Sequence, residues 1–389
     1  MLPGQQRPGR VAKGSPRIDA VTASPVLPDY TGRCITGVLG SLGVGLSTPG
    51  PHLADLLDGV SGADAVVLVL VDGLGDEQLI ERERIAPVLA RSRLAPITSV
   101  APSTTAAALT SITTGVPPGQ HGLVGYRFAM GGDIIQALRW TVDDRDASAA
   151  YPPDRVQRVA PSLVLRGAGV PYVGKAAFSS SAFTRAHLRG SSYVGVAGPS
   201  ELPDAVVAAL DASRLVLCYH DAIDKTAHAK GLEAEFDDAV GATDALIGEI
   251  RLLVPSGVAV VVTSDHGQVD IGNAVVDLSA SANALVARRS GEGRFRWLHA
   301  HPGDAGALCE RVAEEMAETC WVMTKRQVLA SELLGDVDDS VVDRLGDVAV
   351  IPHADVFVPD PAVPLEHRMR SRHGSLTAAE MLVPLCVVS

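Results

Sequence analysis

Apolar positions along this chain fall into two patterns. Short uninterrupted runs rich in Val and Leu alternate with longer segments in which apolar residues recur every three or four positions. Uninterrupted β-branched runs read as strands buried on both faces, and the longer spacing reads as amphipathic helix. The pattern predicts strands over 65–71, LAPITSV, GVPYVGKAAF, SSYVGVAG, RLVLCYH and VAVVVTS. It predicts helices over 76–91, 104–114, 201–213 and 233–252, and a short one near LADLLDG. Strands alternating with helices imply an α/β fold with a mostly parallel sheet. Two stretches break the pattern. Residues 125–160 carry Gly, Asp and Pro clusters around YRFAMGG and IIQALRWT, and read as a strand pair covering a site. Residues 273–350 mix short segments with a helix over 304–318, and read as a small α+β insertion. Residues 1–28, rich in Pro, Gly and Arg, read as a loose tail before a domain over 29–389.

The 389 residues suffice for one large α/β domain with a subsidiary insertion. A net charge of -12 without any basic stripe argues against binding a nucleic-acid polymer, though not against a small nucleotide. No long uncharged apolar stretch suggests a membrane span, and the basic N-terminus lacks the apolar core of a secretory signal. The five Cys are scattered without a CxxC, which suits reduced thiols in a cytoplasmic protein.

The chemistry lies where the apolar runs end. Asp72 closes VVLVLVDG, Asp224 and His228 follow RLVLCYH as DKTAH, Asp265 and His266 close VAVVVTSDHG, and His373 opens HGSLTAAEMLVPL. Ligands of open α/β sheets collect at the carboxyl ends of strands. Three Asp and three His delivered there suit a metal centre, with two metals. Singly, DKTAH reads as a helix-surface ion pair and SDHG as a turn; together they read as one site. A hydroxyl-rich segment, APSTTAAALTSITTG, enters a helix, whose free N–H groups favour phosphate. Ser103, Thr104 and Thr105 are its candidate nucleophiles, and one of them is a candidate N-cap.

VLVDG, PSTTAAALTSITTG, DKTAH, SDHG and the late HG, in that order, resemble the alkaline phosphatase superfamily in its nucleotide pyrophosphatase/phosphodiesterase branch. The resemblance implies an α/β/α sandwich with a mostly parallel central sheet, and two divalent metal ions, zinc. It places one metal on Asp72, Thr105, Asp265 and His266 and the other on Asp224, His228 and His373. It puts the nucleophile at Thr105, with Thr104 next in line, and implies a phospho-threonine intermediate. The expected activity is hydrolysis of phosphodiester or nucleotide pyrophosphate bonds in a small phosphorylated substrate. The alternatives are a phosphonoacetate-hydrolase-like C–P hydrolase, a phosphomonoesterase, and an inactive binding homologue. Lys225, Arg127 and Arg372 are candidate phosphate donors. His121 reads as structural, and His299 and His301 as residues that could line the cleft.

Overall fold

The computed structural model describes residues 24–42, 53–162 and 169–389. Its central sheet has seven strands, in the order Arg93–Thr98, Leu382–Val388, Val258–Ser264, Ala65–Val71, Leu215–His220, Pro171–Lys175 and Ser192–Val196. The last five run parallel to one another, while Leu382–Val388 is antiparallel to both of its neighbours. Strand Ala65–Val71 shows why its sequence does not alternate. Val66, Leu68 and Leu70 point into one core, and Ala65, Val67, Val69 and Val71 into a second on the opposite face. Helix Thr105–Thr114 covers the first face with Ala106, Leu109 and Ile112. Helix Ala234–Leu253 covers the other with Phe236, Val240, Ile247 and Ile250. The result is a layered α/β fold with helices on both sides of a mostly parallel sheet.

Several local expectations are corrected. The helix expected over 76–91 is two, Asp76–Glu81 and Pro87–Ser92, because Pro87 cannot continue a helix but is favoured in the first turn of a new one. LADLLDG forms turns and a single 3₁₀ turn, Asp58–Val60. The strand pair expected within 125–160 is a four-stranded antiparallel meander, Arg127–Met130, Asp133–Gln136, Thr141–Val142 and Arg145–Asp146. Of the expected tail, residues 1–23 lie outside the described residues. Residues 24–28 run against the fold, with the Val26 N–H donating to the Leu376 carbonyl at 2.8 Å.

Beyond SDHG, strands Val286–Glu292, Phe295–Ala300, Val348–Pro352 and Cys320–Thr324 form a separate antiparallel sheet in that order. Helix Ala305–Met316 packs on it through Leu308, Val312 and Met316. Arg294, in the turn between the first two of these strands, ties this unit to the main sheet. Its Nε and Nη2 donate to the two oxygens of Glu380 at 3.1 and 2.6 Å, with both side chains wholly buried. Glu380 also accepts from Ser375 N at 3.0 Å and Thr377 Oγ1 at 2.6 Å, bracing the segment just after His373. Arg294→Leu strands a buried carboxylate, which costs about 3–5 kcal/mol. Chemical denaturation should show that loss.

Candidate active site

Three neighbouring parallel strands end level with one another. Val71 pairs with Ser264 on one side and His220 on the other, so Asp72, Asp265 and the turn at Asp221 emerge together. Backbone bonds lock the three exits. Asp72 N donates to His220 O at 2.9 Å, Asp224 N to Asp72 O at 3.1 Å, and Gly73 N to Asp265 Oδ1 at 3.1 Å. Gly73 has φ +77°, and a Cβ there would lie 2.9 Å from the Asp224 Cβ, so this turn admits only glycine. Helix Ala222–Lys230 carries Asp224 and His228 on one face. A short ribbon, Val269–Asp270 paired with Ser371–Arg372, returns His373 to the same place.

The three imidazoles are oriented alike. Nδ1 of His228 lies 2.8 Å from Ser371 O, that of His266 3.0 Å from Gly267 O, and that of His373 2.9 Å from Ser103 O. A carbonyl only accepts, so each Nδ1 holds the proton and each Nε2 presents a lone pair. Those Nε2 atoms face carboxylates: His228 and His373 lie 3.2 and 3.8 Å from Asp224 Oδ1, and His266 lies 3.4 Å from Asp72 Oδ1 and 3.6 Å from Asp265 Oδ2. Burial, then the charges of Asp265 and Asp224, hold the Asp72 carboxyl well above the usual carboxylate range. Burial, then the neighbouring His266 and His228, push His373 well below the usual imidazole value. Asp72 Oδ1 and Asp265 Oδ2 are buried without any hydrogen-bond partner. Crowded carboxylates, uncapped oxygens and imidazoles fixed by their far nitrogens fit divalent cations.

Ligand atoms of Asp224, His228 and His373 lie within 4.8 Å of one another, as do those of Asp72, Asp224 and His266. Asp224 thus stands in both groups, whereas the sequence resemblance puts it in one. Asp265 flanks the second group through Oδ2.

The contacts of the hydroxyl segment separate its three candidates. Ser103 Oγ is wholly buried, donating to Ser375 O at 2.8 Å and accepting from Gly374 N at 3.2 Å. Thr104 is the N-cap by position, in extended conformation, yet its side chain makes no capping bond. Thr105 opens the helix, and its Oγ1 lies 3.1 Å from His266 Nε2.

The candidate phosphate donors separate. Arg127 is paired with the buried Asp360. Arg372 is packed over the Phe357 ring at 3.7 Å and donates to Glu366 O, and burial lowers it to about 10. Both line a cleft of about 500 Å³ beside Thr105, though Arg127 is neutralised there and Arg372 is engaged in packing. Lys225 is exposed and borders a second cavity, of about 250 Å³, that also reaches Thr105. His299 and His301 line neither cavity. His299 bonds Ser290 Oγ at 2.8 Å inside the separate sheet, and His301 is exposed on a loop.

His121 accepts from Leu123 N at 3.1 Å through Nδ1, and its Nε2 lies 2.9 Å from Ser111 Oγ. Burial first, then Arg344, lowers it to about 3. An unfolded histidine protonates near 6.5, so the unfolded chain takes up this proton first as pH falls. The stabilisation is complete above about pH 6.5 and fades as pH drops toward 3. His121→Gln should therefore flatten the acid limb of a Tm–pH profile between about pH 6.5 and 4.

Residues that the motifs do not reveal complete the site. Tyr219 donates to Asp72 Oδ2, and Gln268 donates to Asp224 Oδ1 at 2.5 Å. Glu292, from the separate sheet, reaches the cleft beside Thr104, and burial pushes it up to about 8. Tyr219 lies inside a strand read only as core, Gln268 just past SDHG, and Glu292 in a region without any motif.

The site gathers residue groups that could hold divalent metal ions at the carboxyl edge of a mostly parallel sheet. The sequence matches the family model "Type I phosphodiesterase / nucleotide pyrophosphatase" over residues 66–147 and 136–376, and the chain belongs to that family. No curated protein sequence matches it. Among solved structures, murine ectonucleotide pyrophosphatase/phosphodiesterase 5 is similar at TM-score 0.61 and 14% identity, over 82% of this chain and 87% of that one. An inactive variant of the same murine protein, in complex with AMP, is similar at TM-score 0.60 and 14% identity, over 83% and 87%. Phosphonoacetate hydrolase from Sinorhizobium meliloti 1021 is similar at TM-score 0.57 and 19% identity, over 84% and 90%. At such identities these likenesses carry the fold, while the family match makes the chain a phosphodiesterase/pyrophosphatase-type hydrolase. The C–P hydrolase and inactive-homologue readings are accordingly set aside. Among the described residues no helix is long and apolar enough to cross a membrane.

Proposed function

We propose that this chain hydrolyses the phosphodiester or pyrophosphate bond of a small nucleotide, with Thr105 as nucleophile and two zinc ions as cofactors. The observation that carries the reading is the placing of Thr105 Oγ1 at 3.1 Å from His266 Nε2, beside three carboxylates and at an uncapped helix N-terminus. Asp224, His228 and His373 would hold one ion, and Asp72, Asp265 and His266, with Asp224 at its edge, the other. When bound, the ions supply Lewis acidity that lowers the pKa of the threonine hydroxyl and neutralises charge on phosphate oxygens.

The chain's own residues do the rest. Ser103 O and Gly267 O fix two imidazoles in the tautomer that leaves Nε2 free. The first N–H groups of helix Thr105–Thr114 have no side-chain cap and would be free to donate to a phosphate oxygen. As the Thr105 Oγ1–phosphorus bond forms, the bond to the leaving oxygen breaks, and that oxygen departs and takes up a proton. Water then attacks phosphorus, frees the threonine oxygen and releases the phosphate monoester; the threonine oxygen regains its proton.

A diester is favoured over a monoester because two cavities flank Thr105 and both reach Asp224. One sets Arg127, Gln136 and Glu292 among aliphatic side chains. The other is aromatic, with Tyr172, Phe183 and Tyr219. Two organic arms on one phosphate have two places to go. Initial rates on bis-p-nitrophenyl phosphate and p-nitrophenyl phosphate test this with zinc-loaded enzyme. A strong diester preference is expected, and a monoester preference would make the protein a phosphatase.

A further inference from the structure

One buried acid of the cleft has no cation to pair with. Glu292 closes strand Val286–Glu292, at the tip of the hairpin that this strand forms with Phe295–Ala300. The arginines around it are taken. Arg294 pairs with Glu380 at 2.6 Å, Arg296 with Glu366 at 2.7 Å and Arg289 with Asp277 at 3.0 Å. Glu292 is 8% exposed and lines the cleft of about 500 Å³ beside Thr105. Its Oε1 is buried without a hydrogen-bond partner, whereas Oε2 lies outside that burial and is the oxygen left to the cleft.

Two segments of the site hold this carboxyl between them. The Thr104 hydroxyl and the Tyr126 N–H approach it, and Thr104 immediately precedes Thr105. On the other side it packs on Gly374, which follows His373. A Cβ at Gly374 would lie 3.0 Å from Glu292 Cγ. The charged groups nearest to it, Arg296 and Glu366, neutralise each other, and His373 is a neutral ring with its proton on Nδ1. Burial pushes Glu292 up to about 8, so the acid keeps its proton at neutral pH. An ionised carboxylate here would repel a phosphate, whereas a neutral acid offers it an O–H.

We propose that Glu292 is a further catalytic residue, whose carboxylic acid donates a hydrogen bond to a non-bridging oxygen of the phosphate that Thr105 attacks. The inference rests on the phosphodiesterase reading of Thr105. No proton is transferred. The O–H stabilises charge that grows on that oxygen as the Thr105 Oγ1–phosphorus bond forms, from the wall of the cleft that the separate sheet supplies.

The test compares full-length, zinc-loaded wild type, Glu292→Gln and Glu292→Met on bis-p-nitrophenyl phosphate, with melting temperatures to show that each is folded. Gln keeps a donor that does not titrate, and Met keeps the length of the side chain without a donor. At neutral pH Glu292→Gln should run a few-fold below wild type, and Glu292→Met about 10- to 100-fold below Glu292→Gln in kcat, the scale of one donor to a charged oxygen. The neutral acid is the active form, so wild-type kcat/KM should fall as pH rises through about 8. Glu292→Gln should lack that fall. The infrared difference between wild type and Glu292→Gln at neutral pH should show a protonated carboxylic acid. Equal rates in Glu292→Met and Glu292→Gln would overturn the proposal, as would an alkaline fall that Glu292→Gln retains. A wild-type profile without an alkaline fall would overturn it with no variant needed, and so would a carboxylate band in the infrared difference. Absence of turnover in wild type would instead count against the phosphodiesterase reading, and the role of Glu292 would fall with it.

Discussion

Thr105→Ala should lower phosphodiester turnover by about 10³-fold or more, with metal content unchanged. Removing a nucleophile forces direct attack by water and forfeits the covalent step. The change removes only a hydroxyl and one methyl group at a helix start, and alanine is a better helix former than threonine, so the fold should be preserved. The Thr105 hydroxyl bonds to His266, whose other nitrogen stays fixed by Gly267 O. The candidate ligands Asp72, Asp224, His228, Asp265, His266 and His373 all remain. Thr104→Ala gives the contrast: it removes a hydroxyl that faces Glu292 and should leave most of the turnover. Steady-state rates together with elemental analysis separate the two variants.

Asp224→Ala should have an effect of similar size by a different route. Its carboxylate belongs to both ligand groups, so its loss should weaken both metals and turnover together. His228→Ala touches one group and should leave about one metal per chain. Metal content would then read about two, one and fewer than one for wild type, His228→Ala and Asp224→Ala. Loss of a single ion in Asp224→Ala would assign the carboxylate to one metal, as the sequence resemblance has it.

Much of this site is legible in the sequence because the fold makes it so. Strands buried on both faces print as nearly unbroken apolar runs, and the first acidic residue after each run emerges at the carboxyl edge. Asp72 and Asp265 are found that way from residues 65–71 and 258–264 alone. His228 follows from helical spacing with Asp224. His373 is placed only by motif order, since the two-residue ribbon that delivers it has no periodicity to read. What escapes is everything decided by tertiary packing. Arg127 and Arg372 look like free cations in sequence, yet one meets Asp360 across 233 residues and the other packs over Phe357. Tyr219 sits in a core run and turns its hydroxyl to Asp72. The break at Pro87 is readable in principle, but the apolar periodicity running through it hides it.

The most direct test of the central claim is an acid-quenched reaction followed by peptide mass mapping. Zinc-loaded enzyme is mixed with p-nitrophenyl thymidine 5′-phosphate and stopped within one turnover. The account predicts a thymidylyl adduct on the peptide containing residues 101–115, localised to Thr105 and absent from Thr105→Ala. An adduct localised to Thr104 or another residue, or a burst of product without any covalent adduct, would contradict it.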